Sequence, residues 1–204
     1  MKRFFTESDR LEAFSDGVLA VIITIMVLEL RPPPGTDLKA LAVVLPGIAV
    51  YALSFVFVGI YWNNHHHMLR ASKGIDAGAM WANLHLLFWL SLIPFATAWV
   101  AENPAGTWPT AFYSLIFLLA GVAYAILQSQ LVRVNGRDTP FARAIAIDRK
   151  GQGSLALYAA AIAVAFVSTV VSDLILVGVA ALWLVPDRRF EPLIDGNEKR
   201  EPGA

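Results

Sequence analysis

The sequence predicts an all-α membrane protein built as a bundle of six transmembrane helices. Hydrophobic residues make up 57% of the chain and charged residues only 16%, with a mean hydropathy of +0.58. A soluble domain carries about 25% charged residues, so this composition favours a membrane protein. The charged residues also gather in short segments between long apolar tracts, which is the pattern of a multi-pass protein.

The first span is predicted to run from about Arg10 to Glu29. Asp9 is a suitable N-cap because Glu12 follows it at the capping-box spacing. Consecutive prolines at 32–34 then end the helix, since proline lacks a backbone N–H and cannot continue it.

The second span is predicted from about Leu38 to Trp62, with a kink at Pro46. The segment that follows, Asn-Asn-His-His-His at 63–67, is interpreted as a polar break at the membrane interface. These histidines could instead bind a metal, but adjacent side chains point in different directions and further ligands would be needed. The polar break is therefore the favoured interpretation, and no metal site is expected.

The third span is predicted from about Ala77 to Val100 and contains Pro94. The fourth span begins with Thr107 as its N-cap, has a proline in its first turn, and continues to about Val132.

A basic connection and a helical hairpin are predicted for the rest of the membrane domain. Phe141–Ile147 is expected to form a short surface helix within the connection. The apolar tract Leu155–Pro186 is too long for one perpendicular span. Breaks at Ser168-Thr169 and Ser172-Asp173 divide it into the fifth and sixth helices.

The distribution of basic residues predicts that both termini are cytoplasmic. Of the 16 Lys and Arg residues, only Arg31 and Lys39 fall in loops on the opposite side. Cytoplasmic segments carry the excess of Lys and Arg in membrane proteins. We expect a multi-pass protein of the cell inner (plasma) membrane, with a transmembrane domain at 1–186 and a charged cytoplasmic tail at 187–204.

The first span differs from an ordinary lipid-facing helix because acidic residues stand at both ends of its apolar run. Asp16 and Glu29 are about 20 Å apart at a rise of about 1.5 Å per residue, whereas the hydrocarbon core is about 30 Å thick. Charges at membrane depth usually face a bundle interior or a water-filled cavity. The sequence therefore predicts an inner helix with a narrow apolar waist between two hydrated mouths.

The same helix carries a recognisable motif. The string Arg10-x-x-x-Phe14-Ser15-Asp16, followed by Gly-Val and a branched apolar run containing Thr24, resembles the first-helix signature of the endosomal/lysosomal potassium channel family. It is most similar to the prokaryotic members, which have one six-helix unit per chain, and the resemblance covers essentially the whole sequence. The resemblance implies a homotetramer whose first helices line a central potassium-selective pore.

A stripe on this helix matches the family's constriction. Residues three and four apart share a helix face, so Val21, Thr24, Ile25 and Leu28 form one stripe. By the resemblance, the three apolar members fall at the hydrophobic constriction and Thr24 matches a hydroxyl involved in cation preference. The chain contains no TVGYG-type segment, so selection would come from side chains rather than from a carbonyl filter.

Ser15 and Asp16 can have either of two roles. Asp16 could attract cations to the inner mouth, or both residues could belong to a structural network, which is the favoured interpretation. The third span offers donors in Trp81, Asn83 and His85, and the resemblance supports a network with that helix.

Two other charges of the first span lie at its ends. Arg10 is expected to anchor the cytoplasmic end of the helix, through an acidic residue or a lipid phosphate. Glu29 could attract cations at the outer mouth or simply be a solvated helix end.

The sequence leaves three functions to compare. The leading hypothesis is passive potassium flux through a homotetramer in the lipid membrane, with potassium as the permeant ion and no cofactor. The alternatives are a proton or cation carrier in which Asp16 and His85 titrate, and a membrane enzyme or non-conducting scaffold. There is no cysteine, phosphate-binding glycine loop, metalloprotease motif or nucleophile–base set, so enzyme chemistry is not expected, and neither is nucleic-acid binding.

Overall fold

Helices dominate the computed structural model, which describes residues 7–184. The described chain forms α1 (Glu7–Leu28), α2 (Leu38–Ala71), α3 (Ala77–Ser91), α4 (Ile93–Glu102), α5 (Thr107–Asn135), α6 (Pro140–Ala146), α7 (Arg149–Ala165) and α8 (Thr169–Leu184). The described part of the chain contains no strand, so the predicted all-α class is confirmed. The final residues of the predicted domain and the tail at 187–204 lie outside this range.

Helix α5 is the centre of the bundle. It packs against α3 and α4 on one side and against α6, α7 and α8 on the other, while α1 packs against α2, α3 and α4. Ala120 and Ala123 are fully buried, and such small residues allow neighbouring helices to approach closely. The central aromatic contact joins Phe57 of α2 to Phe117 of α5, with ring centroids 4.1 Å apart.

Four helical segments are long and apolar enough to cross a membrane, namely Ser8–Leu28, Leu38–Ala71, Ala77–Glu102 and Thr107–Asn135. Thr169–Leu184 is a shorter apolar helix. The fold is therefore that of a multi-pass membrane protein with several apolar helices.

Helix α1 starts earlier than the sequence predicts. It begins at Glu7, so Asp9 lies inside the first turn and the prediction that it caps the helix is wrong. Ser8 also lies within the helix, and its hydroxyl donates to the backbone oxygen of Leu69 at 3.4 Å. The extra turn therefore brings the start of α1 against the last turns of α2.

Helix α2 passes straight through the predicted polar break. Its 34 residues make it about 50 Å long, well beyond the thickness of a hydrocarbon core. The polar side chains at 63–67 do not end the helix because their groups bond to neighbours within the bundle. Asn64 donates to the backbone oxygen of Ile60 at 2.8 Å, and His65 bonds to α3.

The predicted third span is divided into α3 and α4 at Leu92. Pro94 stands at the start of α4 and has no N–H to continue the hydrogen-bond ladder. Leu92 instead bonds back to the oxygen of Trp89 at 3.2 Å, and the two helices continue as one span.

The second half of the molecule follows the predicted order with shifted boundaries. Gly106, not Thr107, caps α5, and α6 matches the expected surface helix to within a residue. The hairpin turn between α7 and α8 contains Ser168, as predicted. The second predicted break is wrong, because Ser172 lies inside α8 and its hydroxyl donates to the backbone oxygen of Ala161 at 2.9 Å.

Candidate functional site

Helix α1 has two different long faces. One face packs against the bundle through residues three and four apart, namely Leu11, Ser15, Leu19, Ile22 and Met26, all of them buried. The other face is open in the single chain. A transmembrane helix whose exposed face is as apolar as its buried face must meet lipid, another subunit or a constriction on that side.

The stripe predicted from the sequence lies on the open face. Val21 is 55% exposed, Ile25 42% and Leu28 80%, and Thr24 is exposed between them. Phe14 of the signature is exposed on the same side, one to two turns toward the start of the helix. The structure brings these side chains together, and their part in conduction remains a prediction.

Thr24 presents oxygen lone pairs outward. Its hydroxyl donates to the backbone oxygen of Val21 at 2.8 Å, a common arrangement for threonine in a transmembrane helix. Because the hydroxyl proton is used within the helix, the oxygen can only accept at its open side. Thr24 therefore offers the stripe an oxygen of the kind that binds a cation.

The buried face of α1 is held by a chain of hydrogen bonds through three helices. Asn83 of α3 donates from Nδ2 to Ser15 Oγ at 2.9 Å, and Ser15 donates to the backbone oxygen of Leu11 at 2.8 Å. His65 Nε2 of α2 lies 2.7 Å from Asn83 Oδ1. Since that amide oxygen can only accept, His65 donates from Nε2 and the chain runs in one direction. Ser15, His65 and Asn83 are all buried.

Asp16 is held by α2 rather than by α3. The indole Nε1 of Trp62 donates to Asp16 Oδ1 at 3.0 Å. The predicted donors on α3 lie elsewhere: Trp81 is 73% exposed, and exposed His85 accepts from Trp89 Nε1 at 2.9 Å. Successive residues turn by about 100° around a helix, so these two share a face that Asn83 does not. Of the three predicted α3 partners, only Asn83 joins the network.

A second link between α1 and α2 lies one turn further inward. His66 Nδ1 contacts the carboxylate oxygen of Glu12, and the His66 ring stacks on Trp62 with centroids 5.9 Å apart. His65 and His66 thus point to different helices, as expected for adjacent residues. Within residues 7–184, no three His, Cys, Asp or Glu side chains converge on a metal site.

Sequence reasoning missed four members of this network: Glu12, Trp62, His65 and His66. A signal for them existed, because the polar residues of α2 and the signature of α1 both lie near the same end of their helices. Interpreting 63–67 as a break removed these residues from the helix face that approaches α1. Arg10 and Glu29 are both exposed, at opposite ends of α1, as the sequence suggested.

Ion pairs join loops at the two ends of the bundle. Arg31, after α1, pairs with Glu102 at the end of α4. At the other end, Arg133 Nη2 lies 3.0 Å from Asp76 Oδ2, and Asp76 also caps α3 by accepting from the backbone N–H of Ala79. The Ala79 bond and then the Arg133 guanidinium hold the pKa of Asp76 below its ordinary value.

Comparisons with known proteins agree with this architecture. Residues 10–94 match the family model described as "Endosomal/lysosomal potassium channel TMEM175". A protein of Chryseobacterium sp. named a potassium channel is 43% identical, over 92% of this chain and 98% of its own length. A potassium channel of Streptomyces collinus is 37% identical, over 79% of this chain and 84% of its own.

A solved structure has the same fold. The crystal structure of a lysosomal potassium-selective channel TMEM175 homolog from Chamaesiphon minutus matches with a TM-score of 0.76 and 26% identity. The match covers 88% of this chain and 97% of that one. With helix order, signature helix and full-length similarity in agreement, the chain belongs to the TMEM175 endosomal/lysosomal potassium channel family.

Proposed function

We propose that this protein is a potassium channel in which four copies of the chain place their α1 helices around one pore. The observation that carries the proposal is the open apolar face of α1, with Thr24 inside it. Its relatives named potassium channels are similar over most of their length, which supports the same activity here. The family and these relatives are channels, so the protein is not an enzyme.

The apolar stripe explains how a pore without a carbonyl filter can favour potassium. Val21, Ile25 and Leu28 offer no oxygen to an ion, so an ion that enters must give up hydration water without compensation. Potassium holds its water less strongly than sodium and therefore pays a smaller dehydration penalty. The Thr24 oxygen returns part of the lost coordination, so we expect a ring of four threonines to sharpen the preference.

The network behind α1 supports a structural role for Ser15 and Asp16. Both residues are bonded to α2 or α3, and Ser15 is fully buried away from the open face. The carrier hypothesis needs Asp16 and His85 to exchange protons, yet the structure bonds Asp16 to Trp62 and His85 to Trp89. The channel is therefore the favoured mechanism.

Six crossings and cytoplasmic termini complete the proposal. Arg31 and Lys39 lie at the end of the bundle opposite to Arg70, Lys73 and Arg133, so the positive-inside rule orients the inner network toward the cytoplasm. A bacterial-type single-unit chain in this orientation belongs in the plasma membrane, in contact with lipid and with no cofactor.

Liposome flux tests the function. Purified protein is reconstituted into potassium-loaded vesicles, and potassium efflux is followed with and without a proton gradient. We expect efflux that needs no proton gradient and exceeds sodium efflux under matched gradients. Strict dependence on a proton gradient would instead indicate a carrier, and absence of flux from intact oligomers would indicate a scaffold.

A further inference from the structure

A cavity of about 230 Å³ lies on the side of α2 that faces away from α1. It is bounded by α2, α5, the segment after α6 and the first turns of α7, with the end of α8 closing one side. An engineered cavity of about 150 Å³ binds benzene, so this one has room for an aromatic ring with a short substituent. The network at α1 uses none of these lining residues.

Aromatic side chains form much of the cavity wall. The aromatic residues that border it are Phe57, Tyr61, Tyr124, Tyr158 and Trp183. Their rings meet edge to face, with centroids 6.1 Å apart for Phe57 and Tyr158 and 6.2 Å apart for Tyr61 and Tyr124. This arrangement presents ring faces to the space between them. Ring faces attract cations that come within about 6 Å of the centroid.

The charge that borders the cavity is negative. Among residues 7–184, Asp148 is the single charged residue in the cavity wall, and its residue surface is only 8% exposed. Its position is fixed, because Oδ1 accepts from the backbone N–H of Gly151 at 2.8 Å and Oδ2 accepts from Gln128 Nε2 at 3.1 Å. A carboxylate can accept in about four directions, so these two bonds do not exhaust it.

Lys150 is the nearest basic residue on the same helix. Its ammonium lies 5.9 Å from the Trp183 ring centroid and donates to the backbone oxygen of Leu182 at 3.4 Å. Trp183 is oriented by a bond from its Nε1 to Ser154 Oγ at 2.8 Å. The cavity therefore combines rigid aromatic walls, a fixed carboxylate and a flank at which one ring already holds a cation.

We propose that this cavity is a binding site for a small organic cation, a quaternary or protonated amine attached to an aromatic or similar apolar group. The carboxylate of Asp148 and the ring faces would bind the cationic group, and the apolar wall formed by Ile60, Leu155 and their neighbours would bind the rest. This proposal is independent of the pore, so it can be tested by binding alone.

Equilibrium binding of radiolabelled benzyltrimethylammonium to the purified full chain in detergent tests the proposal. Benzylsulfonate, which has the same ring and a similar size but the opposite charge, is the matched ligand control. We expect saturable binding of the cation and at least about tenfold weaker binding of the anion. Equal binding of both ligands would overturn the proposal.

Two variants locate the site. Asp148→Asn keeps the cap of α7, because asparagine caps a helix about as well as aspartate, and should weaken cation binding about tenfold or more. Asp173→Asn removes a half-buried carboxylate of α8 outside the cavity and should leave binding unchanged. Equal weakening by both would overturn the proposal.

A filling variant keeps the test decisive if Asp148→Asn fails to fold. Ala125 borders the cavity, so Ala125→Leu should remove most of the binding while leaving the carboxylate in place. Val122→Leu, one turn away and outside the cavity, is its control. Undiminished binding to Ala125→Leu would place the ligand elsewhere, in the pore for instance, and would refute the site.

Discussion

At the scale of single residues, the open face of α1 is where spacing in the sequence predicted structure best. A stripe at three- and four-residue intervals has only one possible geometry on a helix, so Val21, Thr24, Ile25 and Leu28 were bound to share a face. Which of the two faces would be open did not follow from hydrophobicity, since the buried face is equally apolar. The signature motif settled that point through its buried Ser15.

Shortening the apolar side chains of the stripe should widen the pore. We expect Ile25→Ala and Leu28→Ala to raise single-channel conductance and lower the potassium-to-sodium permeability ratio, because ions cross a wider waist with more of their water. Currents across planar bilayers measure both quantities. Val27→Ala is the control, since Val27 lies about 120° around the helix from Val21. Unchanged currents in both stripe variants would argue against this constriction.

Thr24 allows the oxygen to be separated from the shape. Thr24→Val keeps the branched shape and removes the oxygen, whereas Thr24→Ser keeps the oxygen. We expect the valine variant to lose more potassium preference than the serine variant, with total current changing less than the reversal potential under mixed-ion gradients. The reverse order would show that the hydroxyl does not contact the permeant ion.

Asp76 gives a pH-dependent contribution to stability. Its folded-state pKa lies below the unfolded value of about 3.9, so its contribution is complete above that pH and is lost as the pH falls through the folded-state pKa. We expect the melting temperature of the wild type to fall below pH 4 more steeply than that of Asp76→Asn, which keeps the cap of α3 but lacks the charge. Parallel curves would contradict this assignment.

At the scale of helices, errors arose where polar residues or proline were judged by local rules. The His-rich segment of α2 is helical because tertiary hydrogen bonds satisfy it, and such contacts are invisible in a local window. Pro94 splits a span that the pattern predicted as one helix, although both parts still form a single crossing. Boundaries set by prolines at 32–34 and by the turn before α5 were predicted well, because those residues act through the backbone alone.

The link between α1 and α2 can be tested with a pair of variants. Trp62→Phe removes the indole donor, whereas Asp16→Asn keeps an oxygen that can accept from Trp62. If Asp16 is structural, Trp62→Phe should lower the oligomeric fraction in size-exclusion chromatography, and Asp16→Asn should lower it less. If Asp16→Asn assembles normally but conducts poorly while Trp62→Phe conducts normally, Asp16 contacts ions directly.

At the scale of the whole molecule, composition and span order predicted the class of fold, but the packing order needed coordinates. The sequence contains no indication that α5 is the central helix, since all its spans are similarly apolar. The cavity also depends on long-range contacts, because its wall combines residues of α2, α5, α7 and α8. The oligomeric arrangement is likewise a property of several chains and remains a proposal.

Subunit number can be read from mixtures of two kinds of subunit. When wild type and Leu28→Ala are co-expressed, a tetramer should show intermediate single-channel conductances in the binomial proportions for four subunits. Native mass measurement in detergent provides an independent count. Only the two parental conductances, or a monomeric mass with full activity, would exclude a shared pore.

The uninterrupted course of α2 has a mechanical consequence. From Ile60 to Ala71 the helix contains neither glycine nor proline, and it holds Trp62 against α1 on one side and Tyr61 and Asn64 against the cavity on the other. Within such a stiff rod, neighbouring side chains cannot shift independently. A sideways displacement that begins at Tyr61 is therefore transmitted to Asp16 over a distance of one residue, without passing through a hinge.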